Sequence, residues 1–305
     1  MGIQNSETLK MNRLRKPIRY PESFSKNNSG PDEHNGKSIS TQTKPSDKKT
    51  DRSNIIYKTP NEIIIPRKKP MRRKTKFMSW GKYHRLGEIY SFIDNLEKEF
   101  PAICTVSVIG KSVEGRPIKM LKISNSNAKN PGIWLDSAIH SREWISVSVV
   151  TYIADHIVKK FNNLSPAVTT KDWYIVPVIN PDGYEYSHTH NRMWRKNKAC
   201  LEGECVGVDL NRNFSFGWGV NGEEGSSEEP NSPFYRGPAP FSEPESVAIR
   251  DVIMGSLTPF KVFLSFHSYY ELIIFPWGCK PDNPPTYLNL LEGAAVMARV
   301  TPRHI

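Results

Sequence analysis

Residues 131–150, PGIWLDSAIHSREWISVSVV, form the stretch on which the fold of this chain depends. The segment 132–138 is mostly apolar and is predicted to be a buried strand, and 144–161 has the apolar periodicity of a helix. Between them His140 and Glu143 can direct an imidazole and a carboxylate at one point, a donor set that zinc accepts. Because the chain has eight histidines, such a pair also arises by chance, and a third ligand is required.

The segments around this stretch predict an α/β fold. A helix between two apolar strands is typical of a parallel crossover, so we expect a mixed, largely parallel twisted sheet flanked by helices. Ligands would gather beyond the carboxyl ends of the strands, where His140, Asn180 and His267 fall. The first predicted elements are a helix over 86–96 and a hairpin of two strands over 103–109 and 118–123. An apolar strand over 173–179 leads to a turn at Asn180-Pro181-Asp182-Gly183. A helix to Met254 with a capping box at Ser242-Glu243-Pro244-Glu245 and a buried strand over 261–266 follow.

Charge separates the N-terminal part of the chain from the rest. The net charge is +11, but residues 1–77 carry 19 Lys and Arg against 7 Asp and Glu, whereas the rest carries 23 against 24. Few apolar residues occur over 1–57, which predicts disorder. The basic run over 61–76 suits a cleaved activation site, a nuclear-localisation patch, a polyanion-binding arm or a solvated linker. We predict a basic, disordered segment over 1–77 and one catalytic-size domain over 78–305.

Several classes of partner are disfavoured by composition. No apolar run reaches the roughly 18 residues that span a bilayer, and the N-terminus lacks the apolar core of a secretory signal. No aromatic residue interleaves with the basic run, which argues against nucleic-acid recognition by stacking. Cys200 and Cys205 are spaced to close a small surface loop in an oxidising compartment, and Cys104 and Cys279 have no obvious partners. A cysteine-based zinc site is disfavoured because the chain has no CxxC pair.

A third metal ligand is supplied by His267, which ends a predicted strand as His140 does. Two polar clusters lie between these histidines, NRMWRK at 191–196 and DLNRNF at 209–214. The second is predicted to follow a short apolar strand. Arginine binds carboxylates in a bidentate manner, so arginine near zinc suggests an anionic substrate group or a developing oxyanion. Isolated arginines are most often surface ion-pair partners.

Four segments in order resemble the zinc metallocarboxypeptidases of the pancreatic A/B type: HSREW at 140–144, NPDGYEYSHTHNRMWRKN at 180–197, GVDLNRNF at 207–214 and SFHSYYELIIFPWG at 265–278. The resemblance covers the chain from about Ser79 to its end. It implies that one zinc ion per chain is held by His140, Glu143 and His267, with Arg195 as the catalytic oxyanion stabiliser. It further implies substrate-binding roles for Asn211 and Arg212, which would grip a terminal carboxylate, and for Arg142 and Tyr269, which would line neighbouring subsites.

The implied activity is zinc-dependent removal of C-terminal residues from peptides and proteins by metal-activated water. The implied partner is a peptide with a free C-terminal carboxylate, because a mid-chain bond cannot satisfy an anion clamp. The resemblance also implies secretion, and we expect a monomer. By the same resemblance, the bonds Ser268–Tyr269 and Pro276–Trp277 are expected to be cis.

The sequence departs from the family pattern after His267. The resemblance places a glutamate general base roughly seventy residues beyond the last histidine ligand, whereas 38 residues follow His267. Glu271, Asp282 and Glu292 are the acids in that stretch, and none fits the position of the base. We therefore expect an incomplete carboxypeptidase with one sheet edge uncovered. The alternatives are a non-catalytic zinc-containing binder of peptide C-termini and, more weakly, a polyanion-binding protein acting through 67–76.

The expected absence of the base gives a first prediction. The 305-residue chain should hydrolyse a blocked dipeptide far more slowly than a chain extended through the missing segment, because loss of general-base assistance costs on the order of 10²–10⁴ in rate. The two proteins are assayed side by side. Family-level turnover by the 305-residue chain alone would show that the base has been misplaced.

Overall fold

The computed structural model describes residues 78–201, 203–220, 222, 225–278 and 280–300. Its helices are Leu86–Glu99 (α1), Trp144–Lys160 (α2), Pro166–Thr169 (α3), Pro181–Thr189 (α4), Pro244–Gly255 (α5) and Tyr287–Val300 (α6). Its strands are Cys104–Lys111 (β1), Pro117–Ile123 (β2), Gly132–Ser137 (β3), Asp172–Val176 (β4) and Phe260–Phe266 (β5). The predicted segment 1–77, with its basic run, lies outside the described residues, so the division at residue 77 stays a prediction.

The strands form one mixed sheet in the order β1-β2-β4-β3-β5. β1 and β2 make the predicted antiparallel hairpin, and β2 pairs with β4 in the same sense. β3 pairs in parallel with both β4 and β5, which confirms the predicted crossover through α2. The mixed sheet with flanking helices is therefore confirmed, and its parallel part is β4-β3-β5.

Apolar side chains cover both faces of this sheet. Successive residues of a strand point to opposite faces, so Leu135 joins the cluster that packs under α1 and α2, whereas Trp134 joins the cluster under α5. The helical spacing of α1 places its apolar stripe on the sheet, and Ile89 and Ile93 are fully buried. α5 packs closely on β1, because a Cβ added at Gly110 would lie only 2.7 Å from the Cβ of Ala248. Within this packed sheet β3 and β5 are parallel neighbours, so their carboxyl ends lie side by side.

The predicted turn at 180–183 is instead the start of α4. β4 ends at Val176, before Pro177, and Asn180 is the N-cap of the helix, with its Oδ1 accepting from the Gly183 backbone at 2.9 Å. A side chain at Gly183 would collide with the carbonyl oxygen of Lys196. Glycine is therefore required at position 183 by this close backbone approach. The segment was predicted to be a turn because caps and turns favour the same residue types.

Three further sequence expectations are corrected. The predicted capping box does not form, because Glu243 is the N-cap of α5 and its side chain makes no capping bond. β5 was predicted to be buried, but it lies at the edge of the described sheet, and Val262 and Phe263 are 40% and 52% exposed. The apolar strand expected before Asp209 is absent from the described residues around it, which instead form a single 3₁₀ turn over Leu210–Arg212.

No helix within the described part of the chain combines the length and the apolar character needed to cross a membrane. Cys200 and Cys205 form a disulfide that closes the small loop suggested by their spacing. Cys104 is a free cysteine buried in the core between α1 and the sheet.

A pair of buried carboxyl groups marks the first turn of α5. Glu243 and Glu245 both accept from the Nδ2 amide of Asn197, at 2.6 and 3.2 Å, and Glu245 also accepts from the backbone of Val113 at 3.1 Å. Burial raises the pKa of Glu245 to about 7, and the neighbouring Glu243 acts in the same direction. The folded protein thus holds a proton on Glu245 that the unfolded chain releases at lower pH.

Protein stability should therefore fall as Glu245 ionises. With a folded pKa of about 7 against an ordinary 4.5, its contribution is fully present below pH 4.5 and is lost as the pH rises through 7. The side chain of Glu245→Gln cannot ionise. The free energy of unfolding of this variant should therefore fall by up to about 3 kcal/mol less than that of the wild type as the pH rises. Urea unfolding at mildly acidic and mildly alkaline pH measures the effect, with Glu99→Gln at the exposed end of α1 as the control. An identical pH dependence in the wild type and Glu245→Gln would contradict the assignment.

Candidate metal centre

The proposed ligands lie where β3 and β5 end. Beyond β3 the chain passes through Ala138, which has a left-handed φ of 49°, a conformation that costs a non-glycine residue roughly 1 kcal/mol or more. Ala138 is fixed there because its N–H faces the Ser146 hydroxyl at 3.3 Å and its carbonyl accepts from Asn180 at 3.2 Å. This bend directs His140 back across the end of the sheet, toward His267 beyond β5.

The structure brings His140, Glu143 and His267 together, although the two histidines are 127 residues apart. Their three ligand atoms lie within 4.8 Å of one another. The Nδ1 atoms of the histidines are 3.1 Å apart, and the Glu143 oxygens lie 2.9 Å from one and 3.0 Å from the other. His140 and Glu143 are buried, whereas the His267 side chain is 34% exposed, so the cluster is open on one side.

The proton on His140 is assigned by Asp209. His140 Nε2 lies 3.2 Å from Asp209 Oδ1, and an ionised carboxylate only accepts hydrogen bonds. Burial alone would raise the pKa of Asp209, but the hydrogen bond with His140 and the charge of Arg195 hold that pKa below its ordinary value. Nε2 therefore carries the hydrogen, and Nδ1 presents a lone pair to the cluster.

The same argument applies to His267. Ser265 Oγ donates to Asp136 at 2.6 Å, so its oxygen accepts from His267 Nε2 at 3.3 Å. Burial raises the pKa of Asp136 to about 6, so this carboxyl is ionised at neutral pH and acts as an acceptor. His267 Nδ1 is then also a lone-pair donor.

Two nitrogen lone pairs and a carboxylate thus face one another at about hydrogen-bond distance. These groups repel unless a cation lies between them, and two neutral imidazoles with one carboxylate form a ligand set of catalytic zinc sites. The residues present therefore fit Zn²⁺, and the three predicted ligands are positioned to hold it.

Arg195 lies beside this cluster and is held by Asp209. Its Nε and Nη2 donate to Asp209 Oδ2 at 3.1 and 2.9 Å. The remaining nitrogen, Nη1, lies 4.0 Å from Glu143 Oε1. Two of the three guanidinium nitrogens are therefore fixed, and the third faces the metal ligands.

Asn211 and Arg212 form the 3₁₀ turn that follows Asp209. The Asp209 side chain is the N-cap of this turn and accepts from the Asn211 backbone at 3.1 Å. Arg212 donates to the carbonyl of Gly225, and the Phe234 ring lies under both Arg212 and Arg195, 5.9 and 5.4 Å from their guanidinium carbons. The side chain of Asn211 is exposed and that of Arg212 half-buried, so both are accessible to a ligand.

Arg142 and Tyr269 border the same region. Burial lowers the pKa of Arg142, and the positive charge of Arg195 lowers it further. Tyr269 is 74% exposed, packs against Tyr270, and lies near enough to Arg142 to act on its pKa. The bonds Ser268–Tyr269 and Pro276–Trp277 are both cis, which confirms the expectation drawn from the resemblance.

The sequence interpretation assigned no role to Asp209, although the structure makes it the common partner of three predicted site residues. It is fully buried and accepts from His140, Arg195 and the Asn211 backbone. The available signal was its place directly before Leu210-Asn211-Arg212, because aspartate favours the N-cap of a helical turn.

The chain is similar to known zinc carboxypeptidases. The family model described as zinc carboxypeptidase matches residues 89–304. The chain is 40% identical to carboxypeptidase B of Astacus astacus over 215 residues, which are 70% of each chain. It is 42% identical to carboxypeptidase A2 of Mus musculus over 237 residues, or 76% of this chain and 55% of that one. The crystal structure of carboxypeptidase A from Helicoverpa armigera superposes with a TM-score of 0.67 and 36% identity over 73% of this chain and 54% of that chain. The match thus spans only about half the length of the last two.

The geometry predicts one zinc ion per protein. Replacing His140 or His267 by Ala should weaken zinc binding by more than the roughly 10–100-fold lost with an outer partner. Asp209→Asn, which keeps the side-chain shape, should fall within that smaller range because it disturbs the His140 tautomer. Elemental analysis and chelator competition give the stoichiometry and affinity.

The matched control is His156→Ala, since His156 is exposed on α2 and should leave zinc binding unchanged. Stoichiometric zinc retained at wild-type affinity after His267→Ala would contradict the ligand assignment. A normal circular dichroism spectrum of each variant separates loss of a ligand from misfolding.

Proposed function

The chain belongs to the zinc carboxypeptidase family, and from this premise we propose that it acts as a zinc-dependent carboxypeptidase that removes C-terminal residues from peptides and proteins. The observation that carries the proposal is the single carboxylate of Asp209, which joins a ligand-forming histidine to an arginine directed at the same centre. That arrangement combines a metal with a preorganised donor for negative charge, as hydrolysis of an amide requires.

A zinc ion held by His140, Glu143 and His267 would supply Lewis acidity and activate water for hydrolysis. Arg195 has the role of oxyanion stabiliser. Because Asp209 holds its Nε and Nη2, its Nη1 is directed at the centre without loss of side-chain entropy during reaction. Among the described residues we assign no general base, and its location stays a prediction.

The terminal carboxylate of the substrate is assigned to Asn211 and Arg212, and Arg142 is assigned to a neighbouring subsite. Burial lowers the pKa of Arg142, and the positive charge of Arg195 lowers it further. A bound anion would relieve the repulsion between these two guanidinium groups. The amide of Asn211 is exposed, and Arg212 is oriented by the Gly225 carbonyl and Phe234. Tyr269 is assigned to a neighbouring subsite because its exposed ring lies near Arg142.

We extend the proposal to the setting of the reaction. The partner is a peptide or protein with a free C-terminus, and the protein acts as a monomer outside the cell. The disulfide between Cys200 and Cys205 supports an oxidising compartment, because such bonds are rare in reducing ones. Residues 78–305 are proposed as one catalytic domain.

The proposal is tested with blocked dipeptides that end in a free carboxylate or in an amide. The free acid should be hydrolysed faster, and removal of zinc with a chelator should abolish hydrolysis until zinc is restored. Binding without turnover, measured by calorimetry, would instead favour a zinc-containing binder of peptide C-termini. Equal treatment of the acid and the amide would contradict the carboxypeptidase assignment.

Replacement of Arg212 and of Arg195 should affect different steps of the reaction. Arg212→Ala should weaken binding of a free-acid peptide by about tenfold or more and leave the amide unaffected, because a hydrogen bond to a charged group contributes roughly 1.5–3 kcal/mol. Arg195→Ala should lower kcat with little change in binding, because its partner exists only in the transition state. Calorimetry measures the first effect and steady-state kinetics the second.

Arg250→Ala is the control for both variants, since Arg250 pairs with Asp251 and packs on Phe241. An unchanged preference for the free acid in Arg212→Ala would remove Arg212 from the clamp. A changed KM with normal kcat in Arg195→Ala would remove Arg195 from the transition state.

A further inference from the structure

Arg192 belongs to the arginine cluster 191–196, but the proposed reaction assigns it no role. Its guanidinium lies over the indole of Trp144, with 3.6 Å between Cζ and the ring centroid. The opposite face of that indole stacks on His188, at 3.8 Å between centroids and 1° between planes. Trp144 is therefore enclosed in a three-layer stack directly after the ligand Glu143.

The same guanidinium also contacts the loop between the metal ligands. Arg192 Nη1 donates to the carbonyl oxygen of Arg142 at 2.8 Å. Arg142 lies between His140 and Glu143 in sequence, so this bond acts on the peptide that connects two of the three ligands. One side chain thus holds the backbone of the ligand loop and the aromatic ring that follows it.

The polar groups of Ser141, which precedes Arg142, are bound by residues 187–195, the segment that contains Arg192. The Ser141 N–H donates to the carbonyl of Arg195 at 3.1 Å, and its hydroxyl donates to the carbonyl of Trp194 at 2.6 Å. Its carbonyl oxygen lies 3.1 Å from the hydroxyl of Ser187, which in turn accepts from Trp144 Nε1 at 2.9 Å. The loop is therefore held on several sides by α4 and the residues after it.

We propose that Arg192 is a positioning residue for the metal centre: by stacking on Trp144 and binding the carbonyl of Arg142, it sets the relative orientation of His140 and Glu143. The inference rests on the metal centre described above, and it does not require peptidase activity. Arg192 itself touches neither the ligand atoms nor, in this role, the substrate.

The chemistry of arginine suits both contacts at once. A planar guanidinium stacks on an aromatic face while it donates in its own plane, whereas a lysine ammonium can donate but cannot stack in this way. Burial lowers the pKa of His188, and the charge of Arg192 acts in the same direction. A neutral ring on one face of Trp144 and a cation on the other is the favourable arrangement, because two cations flanking one indole would repel.

The exposure of Arg192 makes the proposal informative. An exposed arginine without a function is usually mobile and contributes little to stability. Arg192 is exposed, so its removal should leave the core intact. It should instead loosen the Arg142 peptide and the Trp144 ring, and thereby the geometry of the two ligands on either side.

The experiment measures metal binding by Arg192→Ala and Arg192→Lys in the full chain. Zinc affinity, from competition with a chromophoric chelator, should fall by at least about tenfold in Arg192→Ala, as for loss of an outer partner of a metal ligand. The absorption spectrum of the Co²⁺-loaded protein should change, because it reports ligand geometry. Arg192→Lys, which keeps a donor but loses the stack, should lie between the wild type and Arg192→Ala.

Two further variants complete the design. Arg250→Ala removes an arginine that packs on Phe241 at 5.1 Å and should leave both readouts unchanged. Ser187→Ala removes the contact of the hydroxyl with Ser141 and Trp144 and should weaken zinc binding in the same direction as Arg192→Ala. Thermal unfolding of the metal-free proteins is measured alongside.

The outcomes separate this proposal from the ones before it. Wild-type zinc affinity and an unchanged Co²⁺ spectrum in Arg192→Ala would overturn it. A lower unfolding temperature of the metal-free variant with unchanged zinc affinity would also overturn it, since that is the result of a purely structural role. Failure of the wild type to bind zinc would overturn the metal centre itself, whereas absence of peptidase activity with normal zinc binding would bear only on the proposed function.

Discussion

The buried carboxylate of Asp209 is the constraint on which the site depends. A carboxylate removed from water is costly unless donors surround it, and here the donors are a ring nitrogen of His140, the guanidinium of Arg195 and the backbone of Asn211. Each bond that stabilises the charge also fixes a group of the site. The tautomer of a metal ligand, the direction of an arginine and the start of the Asn211-Arg212 turn therefore depend on one another.

The sheet supplies the second requirement, which is to bring distant ligands together. β3 and β5 pair in parallel, with Ser137 opposite Phe266 at their carboxyl ends. His140 and His267 follow those ends, and the left-handed Ala138 turns the chain so that the two rings meet. A parallel pair of this kind requires a crossover, so the metal centre exists only once the whole unit from β3 to β5 has assembled.

Buried polar residues also hold the segments that surround the site. Asn197 accepts from the backbone of Val208 at 2.7 Å and donates to the carboxyl groups of Glu243 and Glu245 at the start of α5. It thereby links the segment that carries Arg195 to the segment that carries Asp209. On the other side, Ser141 is held by α4 and the residues after it. Functional groups held by such satisfied networks keep their geometry before a ligand arrives.

The sequence by itself determined the features that depend on neighbours along the chain. The helical spacing of α1, the alternation of the β1–β2 hairpin and the pairing of His140 with Glu143 were all predicted, because a side chain's direction follows from local periodicity. The order of strands and helices implied the crossover and placed His267 at a strand end, as it did His140. The four segments that resemble zinc carboxypeptidases then supplied the roles of the arginines and of Asn211.

The tertiary structure decided what each side chain meets. The Asn180–Gly183 segment begins a helix with Asn180 as its cap. The sequence alone did not distinguish this from a turn, because caps and turns favour the same residue types. β5 is apolar but exposed, since burial depends on what lies against a strand as well as on its composition. Asp209 and Arg192 acquire their partners from segments tens of residues away. Local spacing limits which bonds a residue can make, and only the folded chain brings the donor to the acceptor.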